Sequence, residues 1–177
     1  MIIGISGKMQ SGKDTAANII RSWDESWQVR RFADKLKDIT CMLIGCSRED
    51  LEDIKFKDEP LDKSWGKMTP RLLMQLLGTE CGREVIHENI WVNALFADYK
   101  DQSKWIIPDV RFPNEADAVI SRGGLLLRLE RDTGRKETHK SETALDDYPF
   151  EHVINGNGSI ERLHVKVTKK VTEYLKP

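Results

Sequence analysis

The residues near the start of the chain have the types and spacing that hold phosphate. In MIIGISGKMQSGKDT, Gly7, Gly12 and Lys13 fit the pattern GxxxxGK. The glycines let the backbone turn tightly enough for successive N–H groups to face an oxyanion, and the lysine reaches the outer phosphates of a nucleoside triphosphate. Lys8 and Ser11 lie within the same loop and join the candidate phosphate ligands. The next position departs from the pattern, because Asp14 stands where a hydroxyl side chain ordinarily meets Mg²⁺, and Thr15 follows it. Either Asp14 through water or Thr15 through its hydroxyl would organise the metal, and the sequence leaves both open.

Three more groups have chemistry in their spacing. Asp109 and Arg111 close the run WIIPDVR, an arginine suited to bidentate capture of a phosphate beside a carboxylate that orients it, or an ion pair of purely structural kind. Arg71, Gln75, Thr79 and Arg83 recur every four residues, which on a helix puts them on one face, with Leu72, Leu73, Leu76 and Leu77 on its other sides. Gln75 has both a donor and an acceptor for a base edge. Finally, Arg131, Arg135, Lys136 and Lys140 crowd one short charged stretch.

The elements that must position these residues follow from hydrophobic pattern. Short apolar runs at Met1–Ile5, Gln28–Ala33, Trp105–Val110, Gly124–Leu129 and His152–Ile154 read as buried strands. Helical periodicity lies between them, at Asp14–Trp23, Asp34–Ile44, from Thr69-Pro70 onward, at Pro113–Ser121 and at Ser159–Leu175. Thr69 has the type of an N-cap and Pro70 that of a first helical residue. Strands alternating with helices predict a three-layer α/β fold, a mainly parallel five-stranded sheet covered on both faces. The phosphate-type loop then connects the first strand to the first helix, where the helix N-terminus also favours an anion. Arg48–Met68 is charged and lacks clear period, which predicts surface helix and loop.

Composition bounds the function. The chain has 177 residues, 39% hydrophobic, enough for one well-buried core, so a single domain over 1–177 is expected. With 28 basic and 29 acidic residues there is no global positive field to hold a nucleic-acid polymer, and phosphate recognition must be local. Cys41, Cys46 and Cys81 are an odd number without CxxC spacing, which argues against a disulfide framework or a zinc site and for a reducing, cytoplasmic setting. There is no long apolar run for a membrane.

The form SGKDT, together with TPRLLMQLLGTECGR from Thr69, IHENIWVNAL from Ile86, IPDVRFPNEADAV from Ile107 and THKSETAL from Thr138, resembles the deoxynucleoside monophosphate kinases of phages, relatives of the nucleoside monophosphate kinases. The matches run from the first strand to the last helix. The resemblance implies a P-loop NTPase fold with an acceptor-binding helical region at about 45–100 and a lid at about 130–143. It implies ATP with Mg²⁺ as donor, a deoxynucleoside monophosphate as acceptor, the cytoplasm of the host cell if the protein is phage-encoded, and a homodimer.

On that resemblance, Lys13, Asp109, Arg111 and Arg131 carry catalysis. Gly7, Lys8, Ser11, Gly12, Asp14, Thr15, Arg128, Arg135, Asn155 and Gly156 hold ATP, the last two where related kinases seat adenine. Asp34, Arg71, Gln75, Thr79, Arg83, Trp91, Arg111 and Glu142 face the acceptor. Asp34 fits equally an N-cap, and Trp91, within WVNALF, fits equally a place in the core. His139 receives no catalytic role. Two other readings share parts of the pattern. Dephospho-coenzyme A kinase has the loop, the lid and a final Asn-Gly turn, and would need Asp34 as a general base; a P-loop switch or motor would need an acid to activate water where Val110 and Arg111 follow Asp109.

Overall fold

A computed structural model describes residues 1–134 and 139–176. In chain order the elements are β1 (Ile2–Gly7), α1 (Lys13–Arg21), β2 (Trp27–Val29), α2 (Asp34–Ile44), α3 (Arg48–Glu52), α4 (Ile54–Asp58), a 3₁₀ turn (Lys63–Trp65), α5 (Pro70–Gln75), a π-helical segment (Leu76–Ile86), α6 (Ile90–Phe96), β3 (Lys104–Val110), α7 (Pro113–Ile120), β4 (Leu125–Glu130), α8 (Lys140–Thr143), β5 (His152–Asn155) and α9 (Ile160–Leu175). They pack as two compact units, residues 1–31 with 98–177, and residues 32–97.

The first unit holds the sheet, ordered β2-β3-β1-β4-β5, with every pairing parallel. Its strands are nearly continuous apolar runs because both faces are covered. On one face Ile3, Ile5, Ile106, Leu125, Leu127 and Leu129 meet Ala16, Ile19 and Ile20 of α1 and Leu163, Val167 and Val171 of α9. Ile3, Ile5, Ile20 and Leu127 are 0% exposed, each contributing about 1.5–3 kcal/mol by burial. On the other face α7 lies so near that a Cβ on Gly4 would stand 3.1 Å from Val119 and Leu126. The three-layer α/β expectation is met.

The second strand is shorter than its sequence suggests. The paired residues end at Val29; the Arg30 N–H still donates to the Ile106 carbonyl at 2.9 Å, and Arg31 turns to reach Asp14 at 2.7 Å. Consecutive charges there gain solvent and a carboxylate by ending the strand.

The second unit is helical, with α2 packed with α3, α5 and α6. Phe32 and Phe96 close its ends edge to face, 6.1 Å apart. Thr69 caps α5 as expected, its hydroxyl accepting the Leu72 N–H at 3.1 Å, with Pro70 first in the helix. The charged stretch 48–68 forms α3, α4 and the 3₁₀ turn. The helix after Thr69, however, does not stay α: from Leu76 to Ile86 it is a π-helix. Among the described residues no helix is long and apolar enough to cross a membrane.

Candidate active site

The loop between β1 and α1 is built by its glycines. Gly7 has φ 153°, and a Cβ there would stand 2.4 Å from the Ser11 hydroxyl and 2.7 Å from the Leu129 carbonyl oxygen, so a side chain is excluded. Gly12, with φ 100°, is the N-cap of α1. Between them Ser11 turns its N–H back to the Lys8 carbonyl at 3.1 Å, and the Ser11 hydroxyl is buried with no partner among the described atoms.

Lys13, first residue of α1, folds over this loop. Its ammonium donates to the carbonyls of Gly7 at 2.8 Å and Lys8 at 2.7 Å. Burial is the largest reason that its pKa is lowered to about 8, with Arg111 and Arg128 adding repulsion and Asp14 and Asp109 opposing it. Three cations and two carboxylates therefore share the space where β1, β3 and β4 end, the end at which open α/β sheets place ligands. Asp14 is largely exposed in the first turn of α1, its carboxylate held by Arg31 at 2.7 Å, and Thr15 is half-buried beside it.

Arg111 follows β3 directly, and one buried residue sets its backbone. Glu115 is 2% exposed and accepts the N–H groups of Arg111 at 2.7 Å and Phe112 at 3.1 Å. The Arg111 guanidinium pairs with Glu142 and donates to the Ser141 carbonyl at 3.4 Å. Glu142 also accepts the Met9 N–H of the phosphate loop at 3.1 Å. Its two oxygens are thus taken by the loop and the arginine, and its side chain is only 6% exposed. The carboxylate thus holds Arg111 and the loop together. Asp109 stays half-buried at the end of β3.

Arg128 lies on β4 opposite Ser6 of β1, and the parallel register brings its guanidinium to the Ser6 hydroxyl at 3.1 Å. The same group lies over the Phe150 ring, 5.2 Å from its centroid, and 3.7 Å from Asp146. Lys8 spans from the loop to Asp146 and to the Glu142 carbonyl at 2.6 Å. Beside them a cavity of about 300 Å³ is lined by Lys8, Arg128, Arg131, Asn155 and Asn157. Gly156, between Asn155 and Asn157, packs close against the loop. Its N–H donates to the Glu130 carbonyl at 2.7 Å, and a Cβ there would stand 3.2 Å from the Ser11 carbonyl oxygen. Arg135 and Lys136 of the charged stretch lie outside the described residues; His139 caps α8, its ring nitrogen Nδ1 accepting the Ser141 N–H at 3.2 Å.

Within the second unit, the four-residue stripe behaves unlike an ordinary amphipathic helix. In an α-helix four residues overshoot a turn by about 40°, so the stripe would drift around the axis. A π turn takes more than four residues and reverses the drift. The switch at Leu76 thus keeps Arg71, Gln75, Thr79 and Arg83 aligned. Thr79 is 4% exposed whereas Leu72 and Leu76 are 40% and 37% exposed, the inverse of a polar face turned to water. Arg71 forms a two-pronged pair with Asp58 at 2.5 and 3.1 Å, and Arg83 donates to the Glu88 carbonyl at 3.2 Å.

Trp91 takes the core place of its two alternatives. It is buried, and its indole N–H donates to the Gly78 carbonyl at 2.8 Å. Asp34 is likewise not an N-cap: Ala33 holds that position, and Asp34 is the first residue of α2, its carboxylate 3.2 Å from Arg48.

Sequence reasoning missed Glu115, Asp146 and Ser6. Only Glu115 has a local signal, standing three residues after Phe112 with Pro113 at the helix start, the spacing at which an acid bonds back to the first amides. Asp146 and Ser6 become visible only through their partners in space.

A glycine loop with its lysine folded back across it, on a parallel sheet of this order, with arginines gathered at the adjacent strand ends, defines a P-loop nucleotide-binding protein of the phosphoryl-transfer kind. Comparison with known proteins narrows the class. Residues 47–167 match the family described as deoxynucleotide monophosphate kinase. The chain is 30% identical, over an alignment of 182 positions covering 94% of both chains, to a putative deoxynucleotide monophosphate kinase of Acanthamoeba polyphaga mimivirus. It is 24% identical to the deoxynucleoside-5′-monophosphate kinase of Escherichia phage T5, again over 94% of both. With the deoxynucleotide monophosphate kinase of Enterobacteria phage T4 it shares 33% identity over 55% of this chain and 43% of that one. The chain belongs to the deoxynucleotide monophosphate kinase family.

Proposed function

We propose that the protein transfers the γ-phosphoryl group of ATP to the 5′-phosphate of a deoxynucleoside monophosphate, giving ADP and a deoxynucleoside diphosphate. The observation that carries this reading is the gathering of Lys13, Arg111 and Arg128 around the strand ends, close enough to one another that Arg111 and Arg128 help to lower the Lys13 pKa. Bordered by Asp109, Glu142 and Asp146, these cations form a charged surface at the strand ends that fits a transferring phosphoryl group between two polyphosphate-like partners. An acceptor phosphate is already an anion near neutrality, so the reaction asks for positioning and charge neutralisation rather than a strong base.

In this reading the loop amides and Lys13 hold the donor's phosphates, Arg111 holds the acceptor phosphate, and Asp109 orients it. Arg131 and Arg135 add charge from the lid side. Adenine occupies the cavity beside Asn155 and Gly156. The stripe Arg71, Gln75, Thr79 and Arg83, with Asp34, selects the acceptor. Mg²⁺ would supply charge neutralisation on the phosphates; the donor set fits it, since Asp14 and Thr15 offer hard oxygen ligands, and no group of three or more metal-ligating side chains occurs among the described residues. Mg²⁺ typically keeps water and phosphate oxygens and takes only one or two carboxylates from the protein.

The test is ADP release from ATP and Mg²⁺ with each deoxynucleoside and ribonucleoside monophosphate, with dephospho-coenzyme A and water as controls. Turnover with one or more deoxynucleotides is expected. Turnover with water or dephospho-coenzyme A in their place would overturn the reading.

A further inference from the structure

The three cysteines are free thiols, but two of them are not independent. Cys41 lies in the last turn of α2 and Cys46 follows Gly45, which ends the helix with φ 69°. The N–H groups of Gly45 and Cys46 both return to the Cys41 carbonyl, at 2.8 and 3.3 Å. This is the turn in which a left-handed glycine reverses the chain and presses the side chain just beyond it against one in the last helical turn. Ordinarily two apolar side chains fill that contact. Here both are thiols, with Sγ atoms 3.8 Å apart and the Cys46 S–H directed at Cys41.

We infer that Cys41 and Cys46 are a reversible dithiol–disulfide pair, closed by exchange with a small disulfide and opened by thiols. The turn has already brought the sulfurs into van der Waals contact, within about 2 Å of the roughly 2.0 Å bond length. Both residues are partly exposed, which admits the oxidant. Burial, and after it the hydrogen bond to Cys41, push the Cys46 thiol up to about 11.

With oxidised glutathione the steps balance. One of the two cysteines attacks the disulfide as its thiolate, forming a mixed disulfide and releasing one glutathione thiolate. The other then attacks the protein sulfur of that mixed disulfide and expels the second. The two protein thiol protons end on two molecules of glutathione. The bond would fix the turn from which Arg48, two residues on, reaches back to Asp34 and Asp38 of α2 at 3.2 and 2.8 Å.

The full chain, equilibrated across glutathione redox ratios, alkylated and cleaved after lysine and arginine, tests the pair. Both cysteines fall on the single fragment Asp38–Arg48, and Cys81 falls on another. The expected product is the 38–48 fragment lighter by two hydrogen atoms, unalkylated and free of glutathione, restored to two alkylated cysteines by dithiothreitol. In Cys46→Ser the same fragment should instead retain glutathione on Cys41. A wild-type fragment that holds glutathione without closing, or stays fully alkylated while Cys81 reacts, would overturn the inference and leave the contact as a helix cap alone.

Discussion

The phosphate loop of the first unit and the long helix of the second are both candidate binding surfaces, yet they are specified differently. The loop is a backbone device: Gly7 admits no Cβ, Gly12 takes a left-handed φ, and the ammonium of Lys13 lies on two loop carbonyls. The helix is a side-chain device, whose stripe stays aligned because its backbone changes from α to π at Leu76. Both surfaces pair their arginines within the protein, Arg111 with Glu142 beside the loop and Arg71 with Asp58 beside the helix.

Breaking the loop should have the largest effect. Lys13→Met is expected to lower transfer by about 10²–10³-fold or more, read as kcat with ATP and an acceptor. The same substitution tests the charge balance. Below pH about 8, Lys13 is charged in both folded and unfolded chains, and its burial disfavours the folded one. Between about 8 and the ordinary 10.5 the unfolded chain binds the extra proton, so stability of the ligand-free protein rises with pH. Lys13→Met should lose that increment in pH-dependent denaturation, and wild-type kcat/KM for ATP should fall above pH about 8. A stability curve that rises equally in the variant would remove Lys13 as the titrating group.

The link between loop and arginine comes next. Arg111→Ala should raise the KM for the acceptor more than that for ATP, by about tenfold or more, as expected for loss of a charge-assisted bidentate contact. Glu142→Gln should move the same constant in the same direction but less, since the amide still accepts from Met9 while losing the charge that holds Arg111. Equal effects on the two KM values would show that Glu142 serves the loop alone.

In the helix, Gly82→Ala places a Cβ 2.6 Å from the Leu77 carbonyl oxygen and 3.1 Å from the Trp91 ring. A loss of about 1–3 kcal/mol is expected in denaturant unfolding, the usual cost of overpacking. An unchanged midpoint would mean that the π segment relaxes easily. The smallest effect belongs to the sheet's edge, where Asp24 meets Lys104 at 2.7 Å. Hydrogen bonds to Lys104 and then Ser26 lower the Asp24 pKa to about 2, so its contribution is present above its ordinary 3.8 and is lost as pH falls toward 2. Asp24→Asn should therefore lower the melting temperature slightly at pH 6 and not at pH 2.

Most of the sheet was legible in the sequence because buried parallel strands are written as apolar runs: β1, β3 and β4 follow them within a residue or two. The loop was legible because its glycines answer a local steric demand that no distant residue can meet. Thr69-Pro70 announced its helix for the same local reason.

What only the tertiary structure decided concerns partners. Glu142 and Trp91 have residue types that suit a ligand as well as a neighbour, and the fold alone supplies the neighbours, Arg111 and Met9 to the one and Gly78 to the other. The π segment is no property of its residues' helix preferences; it accompanies a buried tryptophan packed against Gly78 and Gly82. Local sterics belong to a few adjacent residues and can be read along the chain, whereas a charge or a hydrogen bond is satisfied by whichever group the fold brings near, and that is fixed only when the whole chain has packed.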